Sequence, residues 1–81
     1  MTQKHSTDEQ EKQFRIDLGQ EIKAVREAKG YSLIDLAELS DINISTLRSI
    51  EAGRFSVKVD YLVRFSIILE HEFVIIPKVD K

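Results

Sequence analysis

The chain has 81 residues, of which 42% are hydrophobic and 32% charged. This length suits one domain with a modest core, and the absence of cysteine excludes a disulfide framework and a thiolate zinc site. No apolar stretch approaches the roughly 18 residues of a membrane-spanning helix, so we expect a cytoplasmic protein without a membrane partner. The formal net charge of −2 argues against a strongly basic nucleic-acid-binding domain, although it does not say where the charges lie.

A first helix is predicted from about residues 8–13 to Lys29. Its apolar side chains recur every three or four residues, which places them on one face; they are Phe14, Leu18, Ile22 and Val25. Gly30 ends this helix, because glycine is common just past a helix end. Residues 1–12 are expected to form a flexible or partly helical tail, and residues 13–70 the folded domain.

Two short helices follow, separated by a tight turn at residues 40–42. Ser32 is a good N-cap for the second helix, and the carboxyl group of Asp35 lies three residues further on, where it favours the helix start. The apolar residues assigned to this helix are Leu33, Leu36, Ala37 and Leu39. Asn43 caps the third helix, which ends near residues 52–53. A fourth helix begins at about residues 57–59 and continues to Leu69.

The last segment has a different pattern. Four apolar residues follow one another, and Pro77 closes the run; they are Phe73, Val74, Ile75 and Ile76. This pattern predicts a short strand that is buried on both faces. Because a lone strand cannot satisfy its backbone, we expect pairing with the same strand of a second copy, which makes residues 71–81 a dimerisation segment. The alternative is that this segment folds back as a tail on its own protomer. The predicted fold is therefore all-α, with four helices plus a C-terminal strand paired across a dimer.

Residues 33–53 carry a pattern whose parts explain one geometry. Leu36, Leu47 and Ile50 hold the second and third helices together, while the small Ala37 allows them to cross closely. With Ile42 in the turn and Glu51 and Gly53 at the end, residues 18–69 resemble the phage repressor and Cro-type (xenobiotic response element) helix-turn-helix family. The resemblance implies a lambda-repressor-like domain that binds double-stranded DNA and regulates transcription. The terminal strand is similar to that of antitoxins paired with a kinase-like toxin.

This resemblance implies a DNA-binding site on the third helix, which would lie in the major groove. The site residues are Asn43, Ile44, Ser45, Thr46, Arg48 and Ser49 on that helix, with Arg54 and Lys58 facing phosphates. Arg48 either reads a guanine, contacts a phosphate or stays solvated. Asn43 either binds adenine or only caps the helix, and Ile44 either meets a thymine methyl group or packs locally.

The resemblance also implies a buried ion pair between Arg26 and Glu51; the alternative is that both are ordinary exposed charges. Three positions depart from the family pattern: Leu33 replaces a glutamine, Asp41 a glycine and Ala52 an asparagine. Each change removes a polar DNA contact or adds negative charge, so the departures bear on affinity more than on fold.

Three functions are consistent with these observations. The first is a repressor that binds a palindromic operator as a homodimer, and the second is an antitoxin that binds both DNA and a toxin protein. The third is a protein-interaction module that has lost DNA binding, which the acidic balance favours. We expect no enzyme and no small-molecule substrate, because no nucleophile lies near a base in the pattern. Isolated glycines and two distant histidines, His5 and His71, predict no cofactor and no metal site.

Overall fold

The fold consists of four helices connected by short loops. The computed structural model describes residues 7–54 and 56–74. The helices are α1 (Thr7–Ala28), α2 (Leu33–Ser40), α3 (Ile44–Glu51) and α4 (Val59–Leu69). The all-α prediction with four helices is thus confirmed for the described residues. Residues 1–6 of the predicted tail lie outside them, and α1 begins at Thr7, inside the range assigned to that tail.

Side chains just outside α2 and α3 determine where these two helices begin. The Ser32 Oγ accepts a hydrogen bond from the Asp35 backbone N–H, and Asp35 accepts one from the Ser32 backbone N–H, each at 3.0 Å. This reciprocal arrangement is the capping box, and the hydrogen bonds from Ser32 lower the pKa of the Asp35 carboxyl group. At α3, Asn43 Oδ1 accepts from the Ser45 N–H at 2.7 Å. Both caps lie at the predicted residues.

The turn between α2 and α3 depends on a left-handed backbone at Asp41. Its φ angle is 58°, in a region that L side chains rarely adopt. Asp is one of the few residues tolerated there, since its short polar side chain can bond locally. The Ile42 N–H then donates to the Ala37 carbonyl at 2.9 Å, and the Ile42 side chain is buried. Asp41 therefore forms a left-handed turn at the position where the family pattern has a glycine.

The core lies between all four helices, with α3 packed against α1 and α2, and α4 packed against α1 and α2. Its buried apolar residues are Leu18, Ile22, Leu36, Ala37, Ile42, Leu47, Ile50, Leu62, Phe65 and Leu69. Leu39, which the sequence assigned to the second helix as an apolar residue, is 56% exposed. Because α3 contributes only one face to this core, its opposite face is directed to solvent.

Two glycines allow α1 to approach α3 and the loop after it. A Cβ on Gly19 would overlap the carbonyl oxygens of Ile50 and Glu51 at the end of α3. Gly53 has a φ angle of +74°, and a Cβ there would lie 2.6 Å from the Ile16 Cα. Side chains at these positions would force the backbones apart, so the close crossing of α1 and α3 depends on them.

The segment after α4 folds back on α1. The His71 N–H donates to the Ser66 carbonyl at 3.1 Å, and His71 Nε2 lies 2.8 Å from Glu21 Oε2. The ring of Phe73 meets the His71 ring edge-on, with centroids 4.6 Å apart, and Phe73 packs against the core. Val74 is 70% exposed.

No strand is present in the described residues, and Phe73 and Val74 have irregular backbone. Ile75 and Ile76 lie outside the described part of the chain. The predicted strand and its pairing with a second copy therefore stay predictions. Among the described helices, none is long and apolar enough to cross a membrane.

The close approach at Gly19 predicts an unusual effect of alanine. In an exposed helix Gly→Ala stabilises by about 1 kcal/mol, because alanine is the better helix former. Gly19→Ala should instead destabilise by roughly 1–3 kcal/mol, since the new methyl group overlaps backbone atoms that cannot move away freely. Urea unfolding followed by circular dichroism measures this change. The exposed neighbour Gln20→Ala is the control, and a stabilising Gly19→Ala would contradict the close crossing.

Candidate nucleic-acid interface

The exposed face of α3 carries small polar side chains along its centre. Leu47 and Ile50 are fully buried, and a rotation of about 100° per residue places Ser45 and Ser49 on the opposite side, one turn apart. Ser45 is exposed and Ser49 half-buried. Arg48 is exposed and lies beside this row. Short hydroxyl side chains leave the helix free to approach a flat or grooved surface closely.

The N-terminal end of α3 is divided between capping and packing. Asn43 is exposed, and its side-chain oxygen is engaged with the Ser45 N–H, which leaves the amide NH₂ group as its free donor. Ile44 is half-buried and packs against the core, and Thr46 is half-buried as well. The structure therefore brings Asn43 to the exposed side, while Ile44 contributes mainly to packing.

Arg54 and Lys58 are exposed cations in and at the end of the loop between α3 and α4. The Arg54 backbone N–H donates to the Ser49 carbonyl at 3.0 Å, and its side chain is exposed. Lys58 is the N-cap of α4, with its Nζ 5.5 Å from the centre of the Tyr61 ring. Within residues 7–54 and 56–74, neither these two side chains nor Arg48 forms an ion pair. Their positive charges are available to an anion.

Arg26 and Glu51 form a bidentate ion pair beneath this surface. Arg26 Nε donates to Glu51 Oε2 at 2.8 Å, and Nη2 donates to Oε1 at 3.1 Å. Both side chains are almost fully buried, at 8% and 7% exposure. The third nitrogen, Nη1, donates to the Tyr31 carbonyl at 2.9 Å. The hydrogen bond with Glu51 raises the pKa of the Arg26 guanidinium. One side chain thus joins α1, the loop before α2 and the last turn of α3.

The three departures from the family pattern have different structural consequences. Leu33 is half-buried and packs against the core, so an apolar contact stands where a polar one was expected. Asp41 keeps the left-handed turn and remains exposed, which adds a negative charge beside α3. Ala52 is the exposed C-cap of α3 and offers no polar side chain.

Sequence reasoning missed two cations that the fold brings to these elements. Arg64 on α4 donates from Nη1 to the Ser40 carbonyl at 2.9 Å, which satisfies an acceptor at the end of α2. Lys23 on α1 lines a groove that also includes Arg48 of α3. No local sequence pattern indicates either arrangement, because each brings together residues that are far apart in the chain.

In the part of the chain that the structure describes, no cluster of His, Cys, Asp or Glu residues suits a metal ion.

Residues 22–70 match the family model described as helix-turn-helix, which is more than half of the chain. The chain therefore belongs to the Cro/C1-type helix-turn-helix family of DNA-binding transcription regulators. This confirms the resemblance drawn from residues 33–53. No match was found among curated proteins.

Two solved structures share the fold. One is the restriction-modification controller protein C.AhdI from Aeromonas hydrophila, with 30% identity and a TM-score of 0.67 over 70% of this chain and 86% of that one. The other is the clp gene regulator ClgR from Corynebacterium glutamicum, with 32% identity and a TM-score of 0.68. The match covers 70% of this chain and 61% of the ClgR chain.

The buried ion pair predicts a large loss of stability when one partner is removed. Glu51→Ala leaves the Arg26 guanidinium buried without its carboxylate, which should cost roughly 3–5 kcal/mol. Glu27 also lies near Arg26, at 3.7 Å, but is 58% exposed. Glu27→Ala should therefore cost only about 0–1 kcal/mol. Urea unfolding of both variants compares the two carboxylates directly, and equal losses would place the Arg26–Glu51 pair among ordinary surface contacts.

Proposed function

We propose that the chain is a sequence-specific repressor that binds double-stranded DNA as a homodimer, with α3 in the major groove. The observation that carries the proposal is the outward face of α3, where Ser45 and Ser49 lie beside the exposed Arg48, and where the exposed Arg54 follows the helix. The major groove of B-DNA admits an α-helix, and each base pair presents a distinct pattern of donors and acceptors there. Small hydroxyl side chains can approach those base edges, while unpaired cations at the border contact phosphates.

Charge distribution supports this face as the one that meets DNA. The chain as a whole carries −2, yet the carboxylate nearest the end of α3, Glu51, is neutralised by Arg26. The cations Arg48, Arg54 and Lys58 then remain without an acidic partner in the described residues. A local positive surface is sufficient for phosphate contact, because the potential near a surface depends on the nearest charges.

An exposed apolar stripe on α4 supports the homodimer. Val59, Val63 and Ile67 follow one another at intervals of four residues, so they share one side of the helix, and they are 65%, 51% and 72% exposed. A two-fold axis places the same patch of both copies in contact, which an apolar stripe on a single helix satisfies by antiparallel packing. The predicted apolar run from Phe73 to Ile76 would extend such an interface.

Repression follows from occupancy of the DNA. A dimer that covers a promoter excludes other proteins from the same base pairs, and this requires no chemistry and no cofactor. A toxin partner is not part of the proposed function, because it rests only on the similarity of the predicted terminal strand, half of which lies outside the described residues.

Selection of bound sequences from random duplex DNA tests the proposal. The expected result is a palindrome whose half-sites are one helical turn apart, about 34 Å, because two α3 helices related by a two-fold axis enter successive major grooves. A single half-site would contradict the homodimer. Failure to enrich any sequence would contradict specific binding and favour the protein-interaction function.

Two variants in the same selection distinguish a residue that reads a base from one that contacts a phosphate. Ser45→Ala should relax the preference at one position in each half-site, at a cost of roughly 0.5–1.5 kcal/mol for a single hydrogen bond, if Ser45 reads a base edge. Arg54→Gln should weaken binding to all sequences alike, because a phosphate contact carries no sequence information. An unchanged sequence preference with Ser45→Ala would show that Ser45 does not read a base.

A further inference from the structure

A groove runs along the side of α3 that faces α1. It is lined by Lys23, Arg26, Leu33, Arg48, Glu51 and Ala52. Its walls therefore come from α1, from the first residue of α2 and from the last turn of α3. This groove adjoins the outward face of α3, because Arg48 belongs to both.

The groove carries two uncompensated positive charges. The charges of Arg26 and Glu51 cancel in their ion pair, and both side chains are almost fully buried. Lys23 and Arg48 are exposed, and neither forms an ion pair in the described ranges 7–54 and 56–74. Glu27 lies outside the lining, and its exposed carboxylate is already 3.7 Å from Arg26.

We propose that Lys23 and Arg48 hold one backbone phosphate of the bound DNA between them. The inference rests on the proposed function, because it names the partner of the same surface. Leu33 and Ala52 offer no side-chain acceptor that would compete with an anion for the two cations. Lys23 on α1 and Arg48 on α3 are long cationic side chains from two helices that line the same groove. Phosphate accepts such charge-assisted hydrogen bonds strongly.

This assignment changes the roles of two elements. Arg48 was open to reading a guanine, contacting a phosphate or remaining solvated, and here it contacts the DNA backbone. The α1 helix, which the sequence assigned only to the core, becomes part of the interface. Because phosphate contacts set the orientation of a protein on the duplex, Lys23 would help to fix the angle at which α3 enters the groove.

The test compares Lys23→Gln with Lys12→Gln in the full chain. Lys12 is exposed on the same helix, eleven residues earlier, on nearly the same side and about 16 Å away along the axis. Both variants remove one positive charge. Fluorescence anisotropy on a random-sequence duplex, repeated over a range of salt concentrations, gives the slope of log K against log salt. Replacing both cations, in Lys23→Gln/Arg48→Gln, should reduce the magnitude of this slope by about 0.9 per protomer, because one phosphate contact is lost. Lys23→Gln alone should reduce it by less, because Arg48 still contacts the shared phosphate, and Lys12→Gln should leave it unchanged.

Two further variants serve as controls. Lys23→Arg preserves the positive charge and should keep the wild-type slope. Arg48→Gln, like Lys23→Gln, should weaken random and selected duplexes by the same factor. A shift in sequence preference with Arg48→Gln would assign Arg48 to a base and overturn the shared phosphate.

The outcomes separate this inference from the proposed function. If the wild-type chain binds DNA but Lys23→Gln behaves like Lys12→Gln, the phosphate site is wrong and the proposed function stands. If the wild-type chain binds no duplex at low salt, both are wrong. Circular dichroism shows whether each variant keeps its helices, which is expected because the substituted side chains are exposed.

Discussion

The Arg26 guanidinium is the contact on which the rest of the molecule depends. It donates to both oxygens of Glu51 and to the Tyr31 carbonyl, so three parts of the chain meet at one side chain. A buried guanidinium without its carboxylate is strongly unfavourable, because desolvation is no longer offset. Any movement of α3 away from α1 would break the pair. Two turns earlier on α1, Gly19 lets the backbones approach, and the pair then fixes their separation.

This constraint has an electrostatic consequence at the surface. Glu51 is an acidic residue near the outward face of α3, and an unpaired carboxylate there would repel phosphates. Pairing with Arg26 removes that charge and leaves Lys23 and Arg48 as the uncompensated ions of the adjoining groove. An acidic chain thereby exposes two cations that form no ion pair in the described residues. The same ion pair that orders the fold thus removes one exposed negative charge next to α3, which supports the proposed contact with phosphate.

Local sequence signals predicted the helices and their caps. Ser32 and Asn43 occupy the predicted cap positions because a side-chain oxygen before a helix satisfies free N–H groups whatever the rest of the fold does. The Arg26–Glu51 pairing entered only through family resemblance, since nothing in the spacing of two distant charges shows that they meet. The structure places both residues in that pair.

Features that depend on distant parts of the fold were not predictable in this way. Gly19 looked like an isolated helix glycine, and only the crossing of α1 and α3 shows what a side chain there would meet. The place of Lys23 has the same origin, because Lys23 and Arg48 line one groove only after the chain has folded. The apolar run from Phe73 to Ile76 was assigned to a strand by composition. A strand needs a partner, and in a single chain the described residues Phe73 and Val74 form none.

The most direct test of this account is Arg26→Lys, because it changes geometry and preserves charge. A lysine ammonium is a point charge that lacks the planar fork of donors, so it cannot bond both Glu51 oxygens and the Tyr31 carbonyl as arginine does. Arg26→Lys should therefore lower the free energy of unfolding in urea. It should also weaken binding to a random-sequence duplex, measured at a temperature where both proteins are folded. Wild-type stability together with wild-type DNA affinity would contradict both expectations, since charge alone would then be sufficient.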